Sequence, residues 1–212
     1  MKNILVLCDD YWHPAEVIEM GLKSWESEEF HFTFVKSPKD ILTPAFIAKY
    51  PVIINCKMNQ LNKANTTPWF DDVAEVGPKE LQEYIENGGG FISAHAGNTA
   101  KEGEAYGDLV GNYFVQHPPR CDVEVKVTKK HPIAEGVQDF VVRDEHYQIE
   151  LTADDADVFL KTYSATGGEQ IGGYTREIGK GRLCVLTPGH ILDVWQAPEF
   201  IKLLVNAIGY VS

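Results

Sequence analysis

Seven histidines occur in the chain, and five of them fall where their rings could share one crevice. His13 comes shortly after the apolar run Ile4–Cys8, His95 directly follows Phe91–Ala94, and His190 follows Arg182–Leu186 behind Thr187-Pro188-Gly189. Each run reads as a buried strand, and in an open parallel sheet ligands bind beyond the carboxyl ends of the strands. His117 (in Gln116-His117-Pro118) and His146 (in Glu145-His146-Tyr147) occupy loops that could reach the same place. Imidazole titrates near neutrality, so a group of histidines suits proton transfer or metal ligation. Carboxylates accompany them: Glu16 three residues after His13, and Asp144 and Glu145 beside His146. Such neighbours orient an imidazole, raise its basicity or share its metal.

From this pattern His95, His146, His190 and Glu145 are the expected catalytic groups. His13, Glu16, Trp12, Tyr106 and His117 are expected to contact substrate, and His13, His95, His117 and His190 to ligate a metal. Converging neutral imidazoles favour zinc, whereas a carboxylate-rich set would favour manganese or magnesium. The sequence holds no HExxH or HxH, so any ligands come from distant loops. Trp12, Trp69, Tyr106 and Trp195 could stack on a sugar ring or pack in the core. His31, inside a strand, and His131, in a turn, are expected to be structural.

The elements that must position these groups alternate. Asn3–Cys8 reads as a doubly buried strand, followed by a helix opening at Pro14 and carrying Val17, Ile18, Leu22 and Trp25 through Ser27. Strands at His31–Val35, Val52–Asn55 and Phe91–Ala94 follow, separated by a short helix ending near Tyr50 and a helix at Lys79–Glu86. That order argues for a parallel sheet with right-handed crossovers. The stretch from Lys57 to Val73 is polar and irregular, as in a binding loop or a tolerated insertion. Val123–Val127, Val158–Tyr163, Gln170–Tyr174 and Arg182–Leu186 read as further strands, and Glu199–Ile208 as a closing amphipathic helix. With no repeat or linker in 212 residues, one α/β domain over 1–212 is expected.

Composition limits the partners. The formal charge of −12 disfavours nucleic acid and anionic membranes. No apolar run is long enough for a membrane span or leader, so a cytoplasmic location is expected. The four cysteines are scattered, and Cys8, Cys56 and Cys184 lie in apolar runs, as small reduced hydrophobes would. Gly88-Gly89-Gly90 precedes a strand instead of opening a helix, and no GxGxxG occurs, so no nucleotide cofactor is expected.

Ser93-Ala94-His95-Ala96-Gly97 resembles the nucleophile elbow of class I glutamine amidotransferase-like proteins, with His95 in place of the cysteine. Arg182–His190 resembles the late strand that carries their histidine. The ordered set His13-Pro14-Ala15-Glu16-Val17, Gly89–Ala96, Leu109–Pro118, His131-Pro132-Ile133, Asp144–Tyr147 and Pro188-Gly189-His190 with Trp195, Pro198 and Phe200 resembles the ThuA-like, trehalose-utilisation family. Ser93-Ala94 departs from the Gly-Ile of many relatives. The resemblance implies a flavodoxin-like three-layer sandwich with a mainly parallel central sheet, and a link to disaccharide or keto-sugar metabolism.

Without a thiol at the elbow, glutamine hydrolysis is not expected. The leading expectation is an enzyme acting on a sugar derivative by isomerisation, epimerisation, elimination or hydrolysis, through a His-rich site that either ligates a metal to polarise a carbonyl or hydroxyl or supplies an acid and a base for enolisation beside a keto group. The alternative is a non-catalytic carbohydrate or small-molecule binder on an amidotransferase-like scaffold. Self-association into a homo-oligomer is expected on general grounds.

Overall fold

The structure, a computed structural model, describes residues 2–38, 41–58 and 75–212. Strand β1 (Lys2–Leu7) shows why the opening run is continuously apolar. Ile4, Val6 and the following Cys8 pack into the core on one face, and Leu5 and Leu7 into the core on the other. Helix α1 (Ala15–Lys23) buries Ala15, Ile18 and Leu22 at helical spacing and ends before the expected Ser27, where Ser24 Oγ donates to the Gly21 carbonyl. Strand β2 (Phe30–Val35), helix α2 (Pro44–Ile47), strand β3 (Val52–Asn55), helix α3 (Pro78–Glu86) and strand β4 (Gly90–Ala94) continue the alternation.

The later half differs from the sequence expectation by being richer in structure. A 3₁₀ turn (His95–Asn98) leads to helix α4 (Ala105–Val110) and strands β5 (Asn112–Gln116), β6 (Cys121–Val127), β7 (Phe140–Asp144) and β8 (Gln148–Leu151). Strands β9 (Asp157–Ser164), β10 (Gly168–Ile178) and β11 (Gly181–Leu186) then precede helices α5 (Leu192–Trp195) and α6 (Pro198–Val211).

Among the described residues, nine strands form one sheet in the order β2-β1-β3-β4-β11-β10-β9-β6-β7. The β2-β1-β3-β4-β11 portion is parallel, and the remaining pairings are antiparallel. The parallel five-stranded portion, flanked by helices, gives the flavodoxin-like architecture, and β10, β9, β6 and β7 extend it antiparallel. One core joins α1, α5 and α6 to the sheet through Leu22, Trp195, Phe200 and Leu204, and the other joins α3 and α4 through Leu81, Ile85 and Leu109. Strands β5 and β8 form a separate antiparallel ribbon. Cys8, Cys56 and Cys184 are buried, and no described cysteine is in a disulfide.

Candidate functional site

The turn after β1 is built around Asp10. Its Oδ1 accepts the backbone N–H groups of Trp12 (2.9 Å) and His13 (3.0 Å), and its Oδ2 accepts that of Met58 (2.9 Å), just past β3. Both oxygens also face His13 Nδ1, at 2.8 and 3.0 Å. Burial opposes ionisation of Asp10, but the His13 contact and the N–H donors outweigh it and hold the carboxyl below its usual range. The Nδ1 proton of His13 therefore lies toward Asp10, and Nε2 is the nitrogen left to act. Beneath the turn, buried Lys57 donates from Nζ to the carbonyls of Asp9 (2.7 Å) and Lys36 (2.9 Å). Burial pulls its ammonium down to about 8, against the attraction of Asp10 and Asp9.

His95 leaves β4 on a strained backbone, with φ at +42°, a region that costs a non-glycine residue about 1–3 kcal/mol. Gly97 makes this elbow fit. A Cβ there would lie 2.5 Å from the Asn55 carbonyl oxygen and 2.7 Å from Ser93 Oγ. His95 Nδ1 faces the Thr187 carbonyl at 2.8 Å, so this nitrogen donates and Nε2 carries the lone pair.

His190 is placed by Asp144, at the end of β7. Asp144 Oδ2 accepts Gly189 N–H (2.7 Å) and Oδ1 accepts His190 N–H (2.9 Å), while Trp195 Nε1 donates to the Gly189 carbonyl (2.7 Å). Burial pushes the Asp144 carboxyl up to about 7, although the N–H groups of Gly189, His190 and Glu145 favour the anion. The next residue, Glu145, points Oε2 to 3.2 Å from His190 Nδ1, 3.5 Å from His117 Nε2 and 3.7 Å from His95 Nε2.

The result is a cluster of His13, His95, Glu145 and His190 whose ligand atoms lie within 4.8 Å of one another. His95 Nε2 and His190 Nδ1 are buried and make no hydrogen bond. Burial lowers both rings to about 4 against the opposing pull of Glu145, so they are neutral at physiological pH. The surrounding imidazoles favour the Glu145 anion against burial and hold its carboxyl below the usual range. Neutral imidazoles beside a carboxylate are a set that could hold a divalent metal. The cluster opens to a cavity of about 440 Å³ lined by Trp12, Met58, Thr99, Lys101, Phe114 and Tyr147 together with His13, His117, Glu145 and His190. That volume lies within the roughly 300–1,000 Å³ range of small-ligand pockets.

A model of the family described as ThuA, trehalose utilisation, matches residues 4–211. The chain belongs to this family. A ThuA-like protein from Bacteroides uniformis superposes with a TM-score of 0.76 at 20% identity, covering 99% of this chain and 91% of the other. A ThuA-like protein from Parabacteroides merdae gives 0.76 at 17% identity, with 99% and 89% covered. The cytoplasmic protein STM1381 of Salmonella typhimurium gives 0.69 at 11% identity, with 99% of each chain covered. At these identities the likeness to this ThuA family chain is one of fold. No curated protein matches the sequence. Among the described residues, no helix is long and apolar enough to cross a membrane.

The structure places three of the sequence-predicted residues outside the cavity wall and one, His117, in it but outside the four-group cluster. His146 is not in the cavity wall. Its Nδ1 faces Ser164 Oγ (2.7 Å) and its Nε2 faces Thr162 Oγ1 (3.0 Å), so β9 occupies both nitrogens. Glu16 is exposed on α1 and does not line the cavity. Tyr106 is buried under the sheet ends, its hydroxyl accepting from Asn55 Nδ2 (2.8 Å) and lying 3.1 Å from Ser93 Oγ. His117 lies at the cavity edge beside Glu145, and Glu145 takes its place in the four-group cluster. Trp195 is fully buried, while Trp12 is 60% exposed in the cavity wall. Trp69 and most of the 57–73 loop lie outside the described residues. His31 pairs with Glu26 at the surface, and His131 accepts from Ile133 N–H and stacks on Phe159.

Sequence reasoning missed Asp10 and Tyr147. The Asp-x-x-His spacing immediately after a strand was the available signal for Asp10. Tyr147 stood in the sequence only as the last residue of the Asp144–Tyr147 motif; that it reaches His95 and His13 is a product of the fold.

Proposed function

We propose that this protein is an enzyme acting on a sugar or disaccharide derivative, with a keto-sugar the favoured class, by metal-assisted acid/base chemistry in the His13–His95–Glu145–His190 cavity. One observation carries the reading: two buried imidazole nitrogens without hydrogen bonds face a carboxylate and a third histidine at the strand ends. Buried polar nitrogens without a hydrogen bond are costly in a fold unless a ligand satisfies them. His13, His95, His190 and Glu145 would hold the ion, and the neutral imidazoles favour zinc.

When bound, a divalent ion supplies Lewis-acid polarisation of a carbonyl or hydroxyl oxygen. The chain's own residues do the rest. Asp10 and the Thr187 carbonyl fix the tautomers of His13 and His95. His117, about one-third exposed and 3.5 Å from Glu145, is placed to pass a proton between the cavity and solvent. Trp12 and Phe114 offer apolar surface to a sugar ring, and Thr99 and Lys101 offer polar groups to its hydroxyls. Family membership supports the sugar class. With histidine at the elbow, glutamine hydrolysis has no nucleophile here.

Elemental analysis and zinc titration test the site, followed by a screen of disaccharides and oxidised sugars. Stoichiometric metal lost in His190→Ala, with turnover of a sugar, is the expected result. A protein that binds no divalent ion and leaves every sugar unchanged would overturn the reading; calorimetric binding without product would favour a carbohydrate-binding role instead.

A further inference from the structure

Tyr147 is buried, with 3% exposure, and its ring stacks on His95 at a centroid distance of 4.0 Å. Its hydroxyl lies 3.3 Å from His13 Nε2. The opposite nitrogen of His13 faces both oxygens of Asp10 and so carries the ring proton. Nε2 therefore has one lone pair and no hydrogen, which makes the phenol the donor in this contact. That lone pair is also the one His13 would offer to an ion, because its other nitrogen is committed to Asp10. One lone pair serves one partner.

We propose that the Tyr147 hydroxyl and a divalent cation compete for His13 Nε2, so that cation binding releases the phenol to donate to a carbonyl or hydroxyl oxygen of the substrate. The inference rests on the cation reading of the cluster and adds a substrate-facing group to it. Tyr147 lines the cavity, and its hydroxyl lies beside the His13 nitrogen in the cluster that opens into it. A buried donor deprived of its acceptor is unfavourable, and an oxygen-bearing ligand removes that cost. Cation and substrate would then bind in order, the first making the second favourable. The phenol keeps its proton throughout, donating first to His13 and then to a substrate oxygen, and no covalent bond is broken in the exchange.

The test titrates zinc alone into the metal-stripped full chain and its Tyr147→Phe variant by calorimetry. Imidazole ¹⁵N NMR follows His13 in the unsubstituted protein. Removing the competing donor should tighten zinc binding about threefold to tenfold, the value of one ordinary hydrogen bond. Zinc should also replace the hydrogen-bonded Nε2 signal of His13 with a ligated one. Equal or weaker zinc binding by a folded Tyr147→Phe variant, or an unchanged His13 signal, overturns the competition while leaving the cation site standing. Absence of zinc binding in both proteins overturns the site reading and the competition together. If the variant does not fold, the His13 signal alone decides.

Discussion

Asp144 holds His190 in place: its carboxylate spans the backbone N–H groups of Gly189 and His190 at 2.7 and 2.9 Å. The contact joins the last strand of the antiparallel portion to the loop after β11, four positions away in the sheet order. It also fixes Glu145, the next residue, against the ring that Asp144 positions. Asparagine at 144 would set an amide N–H₂ against one of those donors. Asp144→Asn is therefore expected to destabilise the fold by about 1–3 kcal/mol. By displacing His190 it should also weaken zinc binding by about 10–100-fold. Denaturant unfolding and zinc titration of the same variant check both effects.

Stability of the metal-free protein should fall on mild acidification. His95 has a folded pKa of about 4, below the ordinary 6.5, because burial disfavours the imidazolium. A histidine lowered in this way contributes stability that is fully present above pH 6.5 and is lost as pH falls to 4. His95 alone accounts for about 3 kcal/mol over that window; His190 acts in the same direction, and Asp144, raised to about 7, takes up its proton first in the folded state and opposes them. Denaturant midpoints at pH 7, 5.5 and 4.5 should therefore fall more steeply in the unsubstituted chain than in His95→Gln. Equal slopes in the two proteins would contradict the buried, neutral ring.

An alanine scan should separate the cavity histidines from the one beside them. His13→Ala, His95→Ala and His190→Ala are expected to abolish turnover of a true substrate and to lower zinc affinity at least tenfold. His146→Ala leaves Thr162 and Ser164 without their ring partner, and should cost about 1–3 kcal/mol of stability with zinc affinity unchanged. Loss of zinc in His146→Ala without unfolding would return that residue to the site.

Gly97→Ala tests the elbow. The added methyl would stand 2.5 Å from the Asn55 carbonyl oxygen, which belongs to a central strand and cannot easily withdraw. A loss of about 1–3 kcal/mol is expected, with a weaker zinc affinity because His95 shifts with the turn. Thermal unfolding and zinc calorimetry give the two numbers.

Ammonia release from glutamine should be undetectable. The buried Cys8 thiol is pushed up to about 12, chiefly by burial, so this thiol stays protonated at neutral pH. An ammonia assay with and without a thiol-alkylating reagent checks the expectation.

The strands that carry His13, His95 and His190 were legible because each is a short apolar run broken by polar residues or glycine. Doubly buried parallel strands need that pattern whatever surrounds them. The sequence by itself determined the alternating α/β order, the histidine-bearing turns and the family resemblance. Glu145 was legible only as a carboxylate near a histidine; which histidine it meets was not. The two neighbours Glu145 and His146 diverge, one to the cavity and the other to Ser164 and Thr162. Local spacing cannot rank those directions, because the competing partners come from distant strands. Tertiary structure alone decided that Asp10 fixes His13, that Asp144 clamps the His190 turn, and that Tyr147 reaches both His95 and His13. The physical reason is common to all three. Periodicity reports which side of a strand or helix is buried, whereas hydrogen bonds between loops depend on how the strand ends are brought together by the packed sheet.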